Sequence, residues 1–346
     1  MPVIQETVTR GVELESEVSG SSMQNAMTIS DLAVKNILLA TDFSAASTAA
    51  FTESLNLCKH FGASLYILNV FEYTNCAPPE SGGLLLELDG FYKDAELALY
   101  DLIETARQNG VPCEGIIANG LSHETILDTL ALQACNLVVL GTRAIHGFER
   151  LVFGSTAEGV IRNSRRPVLT VGPQAARAKV GALQQAGIAI FATDFHVATA
   201  EAIGLAALFA RTLNLSLHCL HVLPRGLGGD KPVLPVLQVI TEALKHLAAK
   251  AGSDVEVPVC AVVYGSEVST AVVEYARMHD ARLIVLGVCR ASFVASHMPA
   301  HIAYRIITEA NCPVLTMAFP IEPAVVPVEV SKEAISAADP ALVLAG

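Results

Sequence analysis

The residues whose types and spacing could do chemistry are concentrated in one run, which reads Gly141-Thr142-Arg143-Ala144-Ile145-His146-Gly147-Phe148-Glu149-Arg150-Leu151-Val152-Phe153-Gly154-Ser155-Thr156. An uncharged apolar stretch, 137–140, precedes it and a helical pattern follows, so the run is expected to be a loop delivering Gly154-Ser155-Thr156 to a helix start. The chemistry that suits such a loop is anion binding. Glycine lets backbone approach a phosphate, and the unpaired N–H groups and dipole of a first helical turn favour negative charge. Arg143 and Arg150 add positive charge nearby, and Asp42 stands directly after another apolar run, 37–40.

Each of these residues also has a plainer reading. Asp42 with Ser44 makes an ordinary helix N-cap region, Gly154-Ser155-Thr156 can cap a helix without a ligand, and the two arginines can be surface charges. Metal sites find little support. His218 and His221 suggest a pair, but on a strand their odd spacing puts them on opposite faces. His297 and His301 are four apart, with Pro299 between them expected to break the helix that would align them. His146 reads as solvent-facing loop, with a phosphate contact as the alternative, and Ser122-His123-Glu124 reads as helix capping rather than a catalytic group. The eight cysteines (Cys58, Cys76, Cys113, Cys135, Cys219, Cys260, Cys289, Cys312) contain no C-x-x-C pair and are expected to be reduced, mostly buried thiols.

The elements that must position the loop are written twice in the chain. Lys35-Asn36-Ile37-Leu38-Leu39-Ala40-Thr41-Asp42-Phe43 recurs as Gly187-Ile188-Ala189-Ile190-Phe191-Ala192-Thr193-Asp194-Phe195, an offset of 152 positions. Asn136-Leu137-Val138-Val139-Leu140-Gly141 recurs as Arg282-Leu283-Ile284-Val285-Leu286-Gly287, and Pro167-Val168-Leu169-Thr170 as Pro313-Val314-Leu315-Thr316, both at an offset of 146. Three blocks in the same order mean a duplication. Within the first copy, short apolar runs at 37–40, 65–70, 115–118, 137–140 and 168–171 suit strands covered on both faces, and helices are expected near 45–60, 122–134 and 155–164. Tyr92, Ala95, Leu99, Leu102, Ile103 and Ala106 make one face of another helix. Five strands and four helices per copy give the expected fold class: α/β, two tandem doubly wound five-stranded parallel sheets, Rossmann-like in architecture. The expected domains are 33–173 and 187–319, with a linker at 174–186 in which Ala182 to Gln185 could be helical. Tails at 1–32 and 320–346 are expected to lack a fixed fold.

In this frame the sequence resembles the universal stress protein family in tandem form. That family's nucleotide-binding pattern is glycine, two residues, glycine, nine residues, then glycine followed by Ser or Thr. Here it reads Gly141, Thr142-Arg143, Ala144, 145–153, then Gly154-Ser155, so Ala144 departs from the pattern at the second glycine. The Thr41-Asp42-Phe43-Ser44 turn and Arg166-Pro167-Val168-Leu169-Thr170-Val171 look like the same family. The resemblance implies an adenine nucleotide, ATP or AMP, in the first copy. Ala40 and Asp42 would border the adenosine, the Asp42 carboxylate accepting from a hydroxyl or amine. Val70 would line the adenine slot, Leu140 and Gly141 would pass the ribose, Gly154, Ser155 and Thr156 would hold the phosphates, and Arg143 would add its charge. In the second copy the loops align without a gap, placing Arg290 over Ala144, Ala300 over Gly154 and His301 over Ser155, so no nucleotide is expected there in the standard mode, although Asp194 is retained.

Other function classes narrow the field further. A net charge of −12 opposes nucleic acid and anionic membrane surfaces as partners. No apolar stretch is long enough to span a membrane. Residues 1–24 carry Glu6, Glu13, Glu15 and Glu17 where a secretory signal would need a basic start and an apolar run, which leaves the cytoplasm as the expected location. Neither G-x-x-x-x-G-K-[ST] nor G-x-G-x-x-G occurs. An ATPase would be expected to hold Mg²⁺ with carboxylates, and Asp42 alone has a good claim, so Mg²⁺ and slow hydrolysis stay open while no catalytic residue is assigned. The resemblance implies a stress-response binding module in which the last strands, 168–171 and 314–317, could pair within the chain and mimic a homodimer. A nucleotide-free scaffold is the alternative, and a homo-oligomer is left open.

Overall fold

A computed structural model of the chain describes residues 4–6, 33–72, 83–142, 154–178, 181–196, 200–224, 234–251, 257–290 and 299–320. A short strand, β1 (Ile4–Glu6), precedes the first copy, which runs β2 (Asn36–Ala40), α1 (Ala45–Phe61), β3 (Ser64–Phe71), α2 (Gly83–Gln108), β4 (Cys113–Asn119), α3 (Ser122–Leu132), β5 (Leu137–Gly141), α4 (Ser155–Asn163) and β6 (Val168–Val171). After α5 (Pro173–Arg177) and a 3-10 turn (Ala182–Gln184), the second copy repeats the alternation. It runs β7 (Ile188–Ala192), α6 (Ala202–Thr212), β8 (Ser216–Pro224), α7 (Leu234–Ala248), β9 (Val259–Gly265), α8 (Val268–Met278), β10 (Ala281–Arg290), α9 (Pro299–Glu309) and β11 (Val314–Pro320).

The strands are apolar throughout because helices cover both faces. In β2, Ile37 and Leu39 enter one core layer while Leu38 enters the other, and all three are buried. Ala189 and Phe191 against Ile190 repeat the division in β7. Each core layer continues from one copy into the other. The strand order is β1-β4-β3-β2-β5-β6-β11-β10-β7-β8-β9, so the two five-stranded sheets form one continuous sheet. All pairings are parallel except the central one, where β6 and β11 run antiparallel with Thr170 opposite Val314, Leu169 opposite Leu315 and Val168 opposite Thr316. The intrachain pairing of last strands expected from the sequence is therefore present. An edge-to-face contact between Phe61 and Phe209, ring centroids 5.2 Å apart, adds to the join. Gly172 fits it closely, since a Cβ there would lie 1.8 Å from the Ile307 carbonyl oxygen.

Two local expectations need correction. The stretch 1–32 contributes a strand, because Ile4–Glu6 pairs parallel with Gly115–Ile117 at the sheet edge. Ser122 is the first helical residue rather than the cap of α3. Its N–H donates to Glu72 Oε1 at 2.7 Å, and bonds from Ser122 lower the Glu72 pKa. Pro299 is the first residue of α9, as its missing N–H permits at that position, so no described helix runs from His297 to His301. His297 lies outside the described residues.

The linker is held against α1 by buried polar groups. Gly181 N–H donates to Glu53 Oε1 at 3.0 Å and Asn56 Nδ2 to Glu53 Oε2 at 3.3 Å, while Gln184 Nε2 donates to Asn56 Oδ1. In the second copy the equivalent positions are Leu205 and Leu208, so this docking belongs to the first copy alone. Six described cysteines are free thiols, five of them buried. Burial pushes Cys58, Cys113, Cys135, Cys219 and Cys312 up to about 12, which keeps them protonated and unreactive.

Candidate functional site

Three adjacent strands, β3, β2 and β5, bring the candidate residues to one end of the first copy's sheet, as ligand sites in open α/β sheets require. Ala40 closes β2, level with Leu68 on one side and Leu140 on the other. Val70 lies two residues beyond Leu68. Ala40, Val70 and Leu140 all face the α3/α4 side, with Leu140 buried and the other two half-buried. The Leu140 side chain is thus core, leaving its backbone to meet a ligand.

The turn after β2 is tightly determined. Thr41 N–H donates to Leu68 O at 2.9 Å, Asn69 Nδ2 to Thr41 O at 2.8 Å, and Phe43 N–H to Thr41 Oγ1 at 3.0 Å. These bonds hold Phe43 at φ +58°, a conformation that costs a non-glycine residue about 1–2 kcal/mol. Asp42 Oδ1 accepts Ser44 N–H at 3.0 Å, and Ser44 caps α1 by accepting from Ser47 N–H at 3.4 Å. The plainer reading of Asp42 and Ser44 is therefore real, and the Asp42 side chain also stands exposed at the rim.

Gly141 and Gly154 serve different purposes. A Cβ at Gly141 would lie 2.4 Å from the Ala46 carbonyl carbon and oxygen and 2.6 Å from Ser47 N, so this glycine lets the first turn of α1 press against β5. Gly154 is the N-cap of α4 with ordinary dihedrals, φ −62° and ψ 131°, and no side chain among the described residues caps the helix. Ser155 is exposed and Thr156 half-buried. In the first turn, Glu158 is engaged along the helix by Arg162 at 2.9 Å. The N-terminus of α4 thus keeps its donors without a side-chain cap, which is the arrangement that suits an anion. Arg143, Ala144, His146 and Arg150 lie outside the described residues.

One residue of the site was not singled out from the sequence. Thr142 N–H donates to Val171 O at 3.0 Å, fixing its backbone, and its side chain is buried with Oγ1 lacking any hydrogen-bond partner. A Cβ on Gly154 would sit 3.4 Å from that oxygen, so the hydroxyl faces the cap of α4.

The second copy keeps the turn and extends the strands beyond it. Phe195 has φ +63°, its N–H donates to Thr193 Oγ1 at 3.0 Å, and Asp194 Oδ1 accepts His196 N–H at 3.0 Å. Asn69 is replaced by His221, whose Nδ1 lies 2.8 Å from Thr193 O and therefore carries the hydrogen, because a carbonyl only accepts. Beyond Gly287 the strand continues. Val288, Cys289 and Arg290 pair in register with Ala318, Phe319 and Pro320 of β11, whereas β5 and β6 stop at Gly141 and Val171. Backbone that could line a crevice in the first copy is here part of the ladder. Ala300 and His301 lie in the first turn of α9.

His218 points away from this end, its Nδ1 2.9 Å from the Tyr275 hydroxyl on the α8 side, so the two histidines of β8 do occupy opposite faces. Among the described residues no three His, Cys, Asp or Glu side chains come together to hold a metal, and no helix is long and apolar enough to cross a membrane.

These features define a tandem α/β protein whose two doubly wound copies share one sheet. A family model described as the universal stress protein family matches residues 33–172 and again 188–317, and the chain belongs to that family. A universal stress protein of Methanocaldococcus jannaschii is 30% identical over 140 residues, covering 40% of this chain and 81% of the relative. YxiE, a universal stress protein of Bacillus subtilis, is 29% identical over 143 residues, covering 39% and 97%. Among solved structures, a universal stress protein from Archaeoglobus fulgidus superposes with a TM-score of 0.60 at 18% identity, covering 82% of this chain and 98% of that one, a likeness of fold.

Proposed function

We propose that this protein is a regulatory, non-catalytic module of the cytoplasmic stress response that binds an adenine nucleotide, ATP or AMP, in its first copy and uses the second as a fused, ligand-free partner. The observation that carries this reading is the α4 N-terminus at Gly154, uncapped by any side chain among the described residues, at the end of the sheet where β2 and β5 stop. Phosphate would lie on the N–H groups of Gly154, Ser155 and Thr156, with Arg143 adding charge. The base and ribose would lie along Ala40, Val70, Leu140 and Gly141, within reach of the exposed Asp42 carboxylate. Hydrolysis is not part of the proposal, since Asp42 Oδ1 already accepts from Ser44 and no further carboxylate has been assigned to hold Mg²⁺.

A nucleotide-free scaffold is the second reading, and the double use of Gly141 and Asp42 favours it: packing against α1 and the turn bond to Ser44 account for both residues without a ligand. Mass spectrometry of small molecules released from natively purified protein separates the two. Stoichiometric ATP or AMP supports the proposal, and protein that neither carries nor takes up nucleotide at millimolar concentration favours the scaffold.

A further inference from the structure

We infer that the Thr142 hydroxyl donates a hydrogen bond to a phosphate oxygen of the nucleotide, a contact that rests on the reading of the first copy as a nucleotide site and adds to it a side-chain donor outside the glycine pattern. A hydroxyl buried without a partner costs roughly 1–3 kcal/mol, so its presence calls for a reason. Thr142 is 4% exposed and its Oγ1 has no hydrogen-bond partner among the described residues. Its backbone is fixed at the end of β5 by the bond to Val171 O, and the hydroxyl faces the point where Gly154 begins α4. Gly154 places no side chain against that oxygen, which is closed off from water in the unliganded chain. An anion seated on the first turn of α4 would meet both the helix N–H groups and this hydroxyl.

The second copy supplies the comparison. In the gap-free frame Thr142 corresponds to Val288 and Gly154 to Ala300. Val288 is likewise buried, at 7% exposure, so the corresponding position of the second copy packs a β-branched side chain without the oxygen. Where the glycine has gained a side chain, the hydroxyl has become a methyl group. Among the described residues the other buried hydroxyl without a partner, Thr170 Oγ1, lies in the β6–β11 join and serves as a control.

Calorimetric titration of ATP, AMP and adenosine into the wild type and the variants Thr142→Val, Thr142→Ser and Thr170→Val tests the inference. Thr142→Val should fold with an unchanged or higher Tm without ligand and bind ATP and AMP about tenfold or more weakly, as expected for a lost bond to a charged group. Its adenosine affinity should be unchanged, Thr142→Ser should restore phosphate-dependent affinity, and Thr170→Val should bind as wild type. Equal ATP affinity in the wild type and Thr142→Val, or a parallel loss of adenosine, overturns the role of Thr142 while leaving the nucleotide site standing. A wild type that binds no ATP overturns the site and this contact with it.

Discussion

Arg162 Nε donates to the Tyr304 hydroxyl at 2.9 Å, with the guanidinium carbon 5.9 Å from the ring centre, and this bridge between the copies is one-sided. By the duplication, Glu158 corresponds to Tyr304 and Thr308 to Arg162. Glu158 instead pairs with Arg162 in its own helix, and the Thr308 hydroxyl donates to Tyr304 O at 2.8 Å. The join between the copies thus has unequal halves. Because α4 presents Gly154 at one end and Arg162 near the other, the helix proposed to hold the phosphate also fastens the first copy to the second.

The bridge should be measurable as a coupling. In a double-mutant cycle of Arg162→Ala and Tyr304→Phe read by urea unfolding, the two changes should be less than additive by about 0.5–1 kcal/mol. The half-exposed guanidinium limits the size of the effect, and additive losses would show that the pair contributes nothing.

The two glycines of the loop pattern should respond oppositely to alanine. Gly141→Ala forces a Cβ to 2.4 Å from α1 backbone and should cost about 3 kcal/mol or more, seen as a lower urea midpoint or insoluble protein. Gly154→Ala has ordinary dihedrals and a nearest neighbour at 3.4 Å, so its stability should stay within about 1 kcal/mol of wild type while ATP affinity falls. Equal losses of stability in the two variants would contradict this division of roles.

Acid should weaken the second copy through His218. Burial, reinforced by the neighbouring His279, holds the His218 pKa below the ordinary histidine value. The facing titratable groups are Tyr275, whose hydroxyl is 2.9 Å from Nδ1, and His279, both at the α8 end. With the folded pKa lowered, the unfolded chain takes up the proton first. The stabilising contribution is therefore complete above an unfolded pKa of about 6.5 and is lost as pH falls below it. Urea midpoints measured from pH 7.5 to 5 should decline less steeply in His218→Leu than in the wild type, and equal slopes would remove His218 as the cause.

Much of this architecture was legible because periodicity and duplication report it directly. Ile37, Leu38 and Leu39 read as a doubly covered strand, and the repeated Ala-Thr-Asp-Phe predicts a repeated turn, down to matching positive φ values at Phe43 and Phe195. Features that depend on distant partners were not legible. Glu72 takes over the capping of α3 from fifty positions away, and Ile4–Glu6 finds an edge that local composition does not announce. Gly141 reads as a ligand glycine until the backbone of Ala46 is seen against it. Thr142 escaped notice because lacking a hydrogen-bond partner is a property of three dimensions, although its pairing with Val288 was already visible in the gap-free frame.

The most direct measurement is the stoichiometry of ATP binding to the full-length protein by isothermal titration. One ATP per chain in the wild type, abolished by Gly154→Arg and untouched by Ala300→Gly, is the expected result. No heat at millimolar ATP, or two equivalents per chain, would contradict a nucleotide site confined to the first copy.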